Sequence, residues 1–264
     1  MWKYGGNDYE LILVGEKHGV RENFDEYLKL IKKFNSYDNI NVYFEISISA
    51  GIYIDEYING REIFSINEFI EDFKGTMLGT SDFKDFVVSL KKYNKRAKRK
   101  INFYGIDLEF QKRIAEKMKE YLLKDTDETL YNRIILNQEN TVKIDDLDDR
   151  DFEIKREETL FQNLLEIYQP NSICYMGAWH TRNSNYDENF AKKVQSKNIR
   201  ALSVELLYQN SKRTIKTDKG FEVVKVNDVF DRTMYKKYGK IYIMKNDWCQ
   251  GIIALKNCKS TKMI

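Results

Sequence analysis

The chain of 264 residues contains only two histidines, and both stand in the same local setting. His18 closes Gly15-Glu-Lys-His18 after the apolar run Leu11-Ile-Leu-Val14. His180 closes Gly177-Ala-Trp-His180 after Ser172-Ile-Cys-Tyr-Met176. A single histidine in a loop or cap is usually structural, but two in the same context point to function. Glu16 lies two residues before His18. A carboxylate beside an imidazole fixes its tautomer and raises its basicity, which makes a general base for water. Two imidazoles with one or two carboxylates also suit zinc, manganese or iron, with one position left open for water. Residue type alone leaves both chemistries open. The candidate ligands are Glu16, His18, Glu45 and His180.

Such groups act together only if the fold brings them to one place. The runs before both glycines are apolar without polar alternation, as in strands covered on both faces. Strands are expected over 9–15, 41–46, 101–107, 172–177 and 200–207, and shorter ones over 221–226, 240–244 and 251–255. Helices are expected over 20–34, 66–74, 82–99 and 189–197. Ser65 is an N-cap for the second of these, and Pro170 ends a helical stretch covering 110–168. Residues 47–81 are less periodic and read as an insertion beside a strand end, the usual place for a substrate wall. The alternation predicts one α/β domain over 1–264, with helical elements over about 47–100 and 110–168. Its central sheet is mainly parallel and flanked by helices, with a helical insertion and short C-terminal strands. In such a sheet Glu16, His18, Glu45, Asp107, Glu109 and His180 share the carboxyl edge, where ligands bind. Arg21 follows His18 at a helix start, and Arg156 is helically spaced from Leu160 and Asn163.

Composition narrows the function. Charged residues make up 32% of the chain, yet the net charge is +3, so there is no broad field for nucleic acid. The basic run 91–100 reads as a solvated helix end and the acidic run 145–151 as a loop and helix start. Three cysteines, Cys174, Cys249 and Cys258, lack metal-ligand spacing and suggest no disulfide framework. Residues 1–8 carry no apolar leader segment, and no apolar run nears the ~20 residues that span a bilayer. The expectation is a soluble cytoplasmic protein with no membrane partner. No nucleophile elbow, dinucleotide loop or P-loop occurs, which disfavours acyl-enzyme, dinucleotide and nucleotide chemistry.

The pieces Gly15-Glu-Lys-His-Gly19 with Arg21-Glu22, Glu45, Lys92-Tyr-Asn94, Phe103-Tyr-Gly-Ile-Asp107, Arg156-Glu157 and Gly177-Ala-Trp-His180 come in one order. Together they resemble the erythromycin esterase-like, ChaN and TIKI group of proteins, over about 11–204. The resemblance implies an α/β fold with its site at the strand ends. In the esterases the first-motif histidine and its glutamate neighbours activate water for lactone hydrolysis. Carried over, this implies Glu16, His18, Glu45 and His180 as catalytic groups. Arg21, Asp107, Arg156 and Glu157 are then substrate-binding groups. Two departures stand out. A single residue separates Glu16 from His18, as in the ChaN and TIKI pattern, and Gly177 stands where the esterases tend to have another histidine.

The expected function is a hydrolase acting on an ester, lactone or amide-type bond of a small molecule or peptide. His18 is the base, oriented by Glu16 or Glu45. Arg21 or Arg156 stabilises the oxyanion or holds a substrate carboxylate, and His180 is a second acid/base or ligand. The alternatives are a haem- or metal-binding protein of the ChaN type and a metal-dependent peptidase of the TIKI type. The cofactor is accordingly none, a divalent transition metal or haem. Oligomeric state is not legible in the sequence.

Overall fold

A computed structural model describes residues 2–4, 7–125, 127–182, 189–229, 235–238, 241–244 and 250–264. The elements run β1 (Trp2–Tyr4), β2 (Asn7–Tyr9), β3 (Leu11–Glu16), α1 (Glu22–Asn35), β4 (Ile40–Ser47), α2 (Ile48–Ile58), α3 (Ile66–Glu71), α4 (Ser81–Arg96) and β5 (Ile101–Asp107). They continue α5 (Lys112–Asp125), α6 (Glu128–Asp145), α7 (Asp149–Ile167), β6 (Ser172–Gly177), α8 (Ala178–Thr181), α9 (Phe190–Ser196) and β7 (Ala201–Gln209). The tail forms β8 (Ser211–Thr217), β9 (Gly220–Val226), β10 (Tyr235–Tyr238), β11 (Ile241–Met244) and β12 (Gln250–Lys256). Cys249 lies outside the described residues.

Among the described residues the main sheet has the order β10-β11-β12-β7-β3-β6-β4-β5. From β12 to β5 every neighbouring pair is parallel, and β10 and β11 add antiparallel strands at one edge. This is the expected α/β fold with a mainly parallel sheet. The hairpin β8–β9 stands apart from it.

Both faces of the sheet are covered, which explains the uninterrupted apolar strands. Side chains alternate between faces with period two. Ile12 and Val14 of β3, Val42 and Phe44 of β4 and Tyr175 of β6 join one core, built with Phe24, Tyr27, Phe83 and Phe86. Leu11, Leu13, Tyr43, Cys174 and Met176 face the other core, against Leu160, Phe161 and Phe190. The first core is dense in aromatic pairs: Phe44 and Tyr175 lie 4.8 Å apart between ring centroids, and Tyr27 and Tyr175 4.4 Å.

Within 47–81, α3 follows the Ser65 cap as expected, but α2 differs from expectation. The chain enters α2 directly from β4, with the Ser47 side chain accepting a bond from the Ala50 amide. Most of α2 is buried, so its apolar residues cover more than one face and show no 3.6-residue stripe. The helix lies almost on β5: a Cβ at Gly51 would come within 1.9 Å of the Gly105 amide nitrogen. Gly105 in turn has no room for a Cβ, which would sit 1.9 Å from the Ser47 carbonyl oxygen. The pairing of β4 with β5 shifts register between Phe44 and Ser47, across Glu45. Such an irregularity re-aims a side chain at a strand end. No described helix is long and apolar enough to cross a membrane.

Candidate functional site

The carboxyl ends of β3, β4, β5 and β6 surround a cavity of about 250 Å³. Glu16 ends β3, His18 follows it, Glu45 and Asp107 come from β4 and β5, and Arg156 reaches in from α7. The chain crosses over here, from β3 out to β4 and β5 and later back to β6, and this kind of switch point opens a crevice.

Two imidazole–carboxylate pairs face each other across Glu45. His18 Nδ1 pairs with Glu16, whose other oxygen accepts a bond from Asn23 Nδ2. His180 Nδ1 pairs with Glu157, which also accepts from the Phe190 amide at 2.6 Å. His180 Nε2 lies 3.2 Å from Glu45 Oε1. Glu45 further accepts from Arg156 Nη2 at 2.7 Å and, through Oε2, from the Gly177 amide at 2.6 Å. Arg156 Nε donates to Asp107 at 3.0 Å, and Nη2 also donates to Asp107, so the guanidinium clamps two carboxylates.

This arrangement sets the proton affinities. Glu16 is the main cause that raises His18 to about 9, against the opposing effect of burial. Burial would lower His180, but Glu45 and Glu157 outweigh it and push it up to about 10. Burial likewise would raise Glu45, yet His180, Arg156 and His18 hold its carboxyl well below the usual range. Burial opposes the charge on Arg156, and Asp107 and Glu45 together raise it. Both imidazoles are therefore cationic at neutral pH.

The two histidines differ in access. His180 is buried, with both ring nitrogens held by carboxylates. His18 leaves 47% of its side chain exposed at the cavity, and its Nε2 makes no hydrogen bond among the described residues. A Cβ at Gly177 would come 3.3 Å from that nitrogen and 3.6 Å from Glu45 Oε2. Glycine at this position keeps the space between His18 and Glu45 clear.

The structure thus brings Glu16, His18, Glu45, Asp107, Arg156, Glu157 and His180 together. Arg21 is set apart: its Nε lies 3.4 Å from Asp82 of α4, and it does not line the cavity. The direction of the first helical turn carries it away. Glu109 is also turned away. It is buried, bonded to the Ser49 amide and hydroxyl, and burial pushes its carboxyl up to about 7. Among the described residues no group of three or more His, Cys, Asp or Glu side chains is arranged to hold a metal ion. The four candidate ligands Glu16, His18, Glu45 and His180 are instead ion-paired with one another and with Arg156 and Glu157.

Sequence reading missed Asn23 and Tyr208. The Tyr208 hydroxyl donates to Asn23 Oδ1 at 2.6 Å, and Asn23 Nδ2 holds both Glu16 and the Lys17 carbonyl. Asn23 had a signal, a polar residue four before Tyr27 on the buried stripe of α1. Tyr208, at the far end of the chain, had none. The apolar side of the cavity, which includes Phe24, Phe73, Met77 and Leu78, was anticipated only as a wall from the 47–81 segment.

Comparison with known proteins agrees with this architecture. The model of the family described as erythromycin esterase matches residues 40–213, which include Glu45, Asp107, Arg156, Glu157 and His180. A crystal structure of a Bacillus cereus protein superposes with a TM-score of 0.70 at 12% identity, covering 98% of this chain and 91% of that one. A succinoglycan biosynthesis protein gives a TM-score of 0.70 at 15% identity, covering 97% and 90%. A histidine-to-asparagine mutant of the erythromycin esterase EreC, in its open conformation, gives 0.65 at 12% identity, covering 95% and 91%. No curated protein matches.

Proposed function

This chain belongs to the erythromycin esterase family, and on that premise we propose that it is a hydrolase of ester-type bonds in which His18 activates water. The observation that carries this reading is the ring nitrogen left open at the cavity among the described residues, His18 Nε2, on an imidazole whose Nδ1 is tied to Glu16. Neutral His18 takes a proton from water as the oxygen attacks the ester carbonyl, and returns it to the leaving alcohol. Glu16, steadied by Asn23, holds the ring and stabilises the imidazolium. Arg156 Nη1 forms no hydrogen bond among the described residues and is the donor available to the developing oxyanion. His180, closed off by two carboxylates, serves as a cationic brace that keeps Glu45 in place.

The proton affinities give this scheme a signature. His18 must lose its proton to act, and His180 must keep one. Activity therefore rises with pH as His18 titrates near 9 and falls as His180 titrates near 10. The test is kcat/KM for an aliphatic ethyl ester, followed by pH-stat across pH 5–11, with His18→Ala and His180→Ala alongside. An optimum between 9 and 10, lost in His18→Ala, is expected. Full activity in His18→Ala, or an optimum below pH 7, would remove His18 as the base.

A further inference from the structure

The cavity has two unlike sides, and their contrast carries information about the substrate. One side is the charged set at the strand ends: among the described residues the carboxyl groups of Glu16, Glu45 and Asp107 line it with the cationic side chains of His18 and Arg156, and His180 and Glu157 pair behind them. Every one of these cations is already paired. Among the described residues a substrate carboxylate entering here would meet cations whose charge is already balanced and an excess of acidic oxygens, so a full anion is disfavoured even though Arg156 Nη1 can donate to a developing oxyanion. The other side is apolar: Phe24 from α1, Phe44 from β4, and Phe73, Met77 and Leu78 from the segment joining α3 to α4. Phe24, Phe44 and Phe73 are buried, and half-buried Met77 offers an unbranched thioether that adapts its shape to a ligand.

We propose that the substrate is an uncharged ester with an unbranched apolar acyl group, seated against Phe24, Phe73 and Met77. This rests on the hydrolase reading above and adds the substrate class to it. The cavity of about 250 Å³ has room for an acyl chain of several carbons along its apolar side. Charge also favours turnover: hydrolysis converts the neutral ester into a carboxylate beside the acidic side chains of Glu16, Glu45 and Asp107, so the product is expelled by the groups that accepted the substrate.

The experiment is a series of ethyl esters from acetate to dodecanoate, with monoethyl succinate as the anionic member, assayed by pH-stat. The expected kcat/KM rises about fourfold per methylene while the chain covers the apolar side and falls once that side is filled. Monoethyl succinate is cleaved at least a hundredfold less efficiently than ethyl butyrate. Met77→Trp, which fills the apolar side, moves the maximum to shorter chains. A flat chain-length series, or succinate cleaved as well as butyrate, overturns the substrate class while leaving hydrolysis standing. If no ester is cleaved, binding of 2-octanone and of octanoate, followed by NMR shifts of the Met and Leu methyl groups, decides. Ketone bound with octanoate excluded upholds the substrate class without hydrolysis, whereas both bound equally, or neither, overturns it.

Discussion

Replacing Glu157 by Gln probes the buried half of the site directly. The substitution keeps shape and an acceptor for the Phe190 amide, but removes one of the two carboxylates that hold His180. Raising an imidazole from 6.5 to about 10 corresponds to roughly 4–5 kcal/mol favouring the charged form in the folded protein. Two carboxylates share that effect, and one opposite charge at contact distance accounts for a change of about 1–3 in pKa. His180 in Glu157→Gln should then titrate between about 7 and 9. The sign for stability follows from proton binding. Between pH 6.5 and 10 the folded protein holds the His180 proton and the unfolded chain does not, so its contribution is full below 6.5 and lost as pH rises through 10. Wild type should lose stability at up to about 1.4 kcal/mol per pH unit from His180 over that window. The variant loses its share of that slope at lower pH. Two-dimensional NMR of the imidazoles suits the question, because the chain has only two histidines and one His18→Ala spectrum assigns both. Urea unfolding at pH 6, 8 and 10 gives the stability side. A His180 that titrates near 6.5 in wild type, or stays near 10 in Glu157→Gln, would refute the reasoning.

Other perturbations have equally definite outcomes. Arg156→Lys keeps the charge but cannot reach Asp107 and Glu45 with the planar fork, so urea unfolding should show a loss of about 1–3 kcal/mol. Gly177→Ala places a methyl 3.3 Å from His18 Nε2; kcat/KM should fall at least tenfold through misplaced catalytic groups, with the thermal midpoint little changed. Gly105→Ala sets a methyl 1.9 Å from the Ser47 carbonyl oxygen, and circular dichroism should show a protein that fails to fold or melts far below wild type. Tyr208→Phe removes the donor to Asn23 and leaves the packing; the His18 titration should shift downward in NMR while His180 stays in place.

The long-range order of the fold was readable because both faces of the sheet are buried. Leu11–Val14, Val42–Phe44 and Ile173–Met176 must then be apolar at every position, and that pattern survives without any structure. The same burial erased the pattern of α2, whose residues face β5 and neighbouring helices on more than one side. The β9 strand was expected over 221–226, but its partner β8 was missed because Ser211–Thr217 carries a single apolar side chain, Ile215, and α2 because burial on more than one side leaves no periodic stripe.

At the site, residue type and position after a strand-ending glycine were enough to single out His18, His180 and their acidic neighbours. A short motif carries its chemistry with it, and the parallel sheet has only one carboxyl edge on which to gather such motifs. The sequence could not determine which nitrogen stays open, because that depends on Glu16 taking His18 Nδ1 while Glu45 and Glu157 take both nitrogens of His180. Nor could it separate Arg156, turned inward from α7, from Arg21, turned outward to Asp82. Side-chain direction and partner choice arise from the packing of distant segments. Tertiary structure alone therefore decided that one histidine faces the cavity while the other is locked behind it.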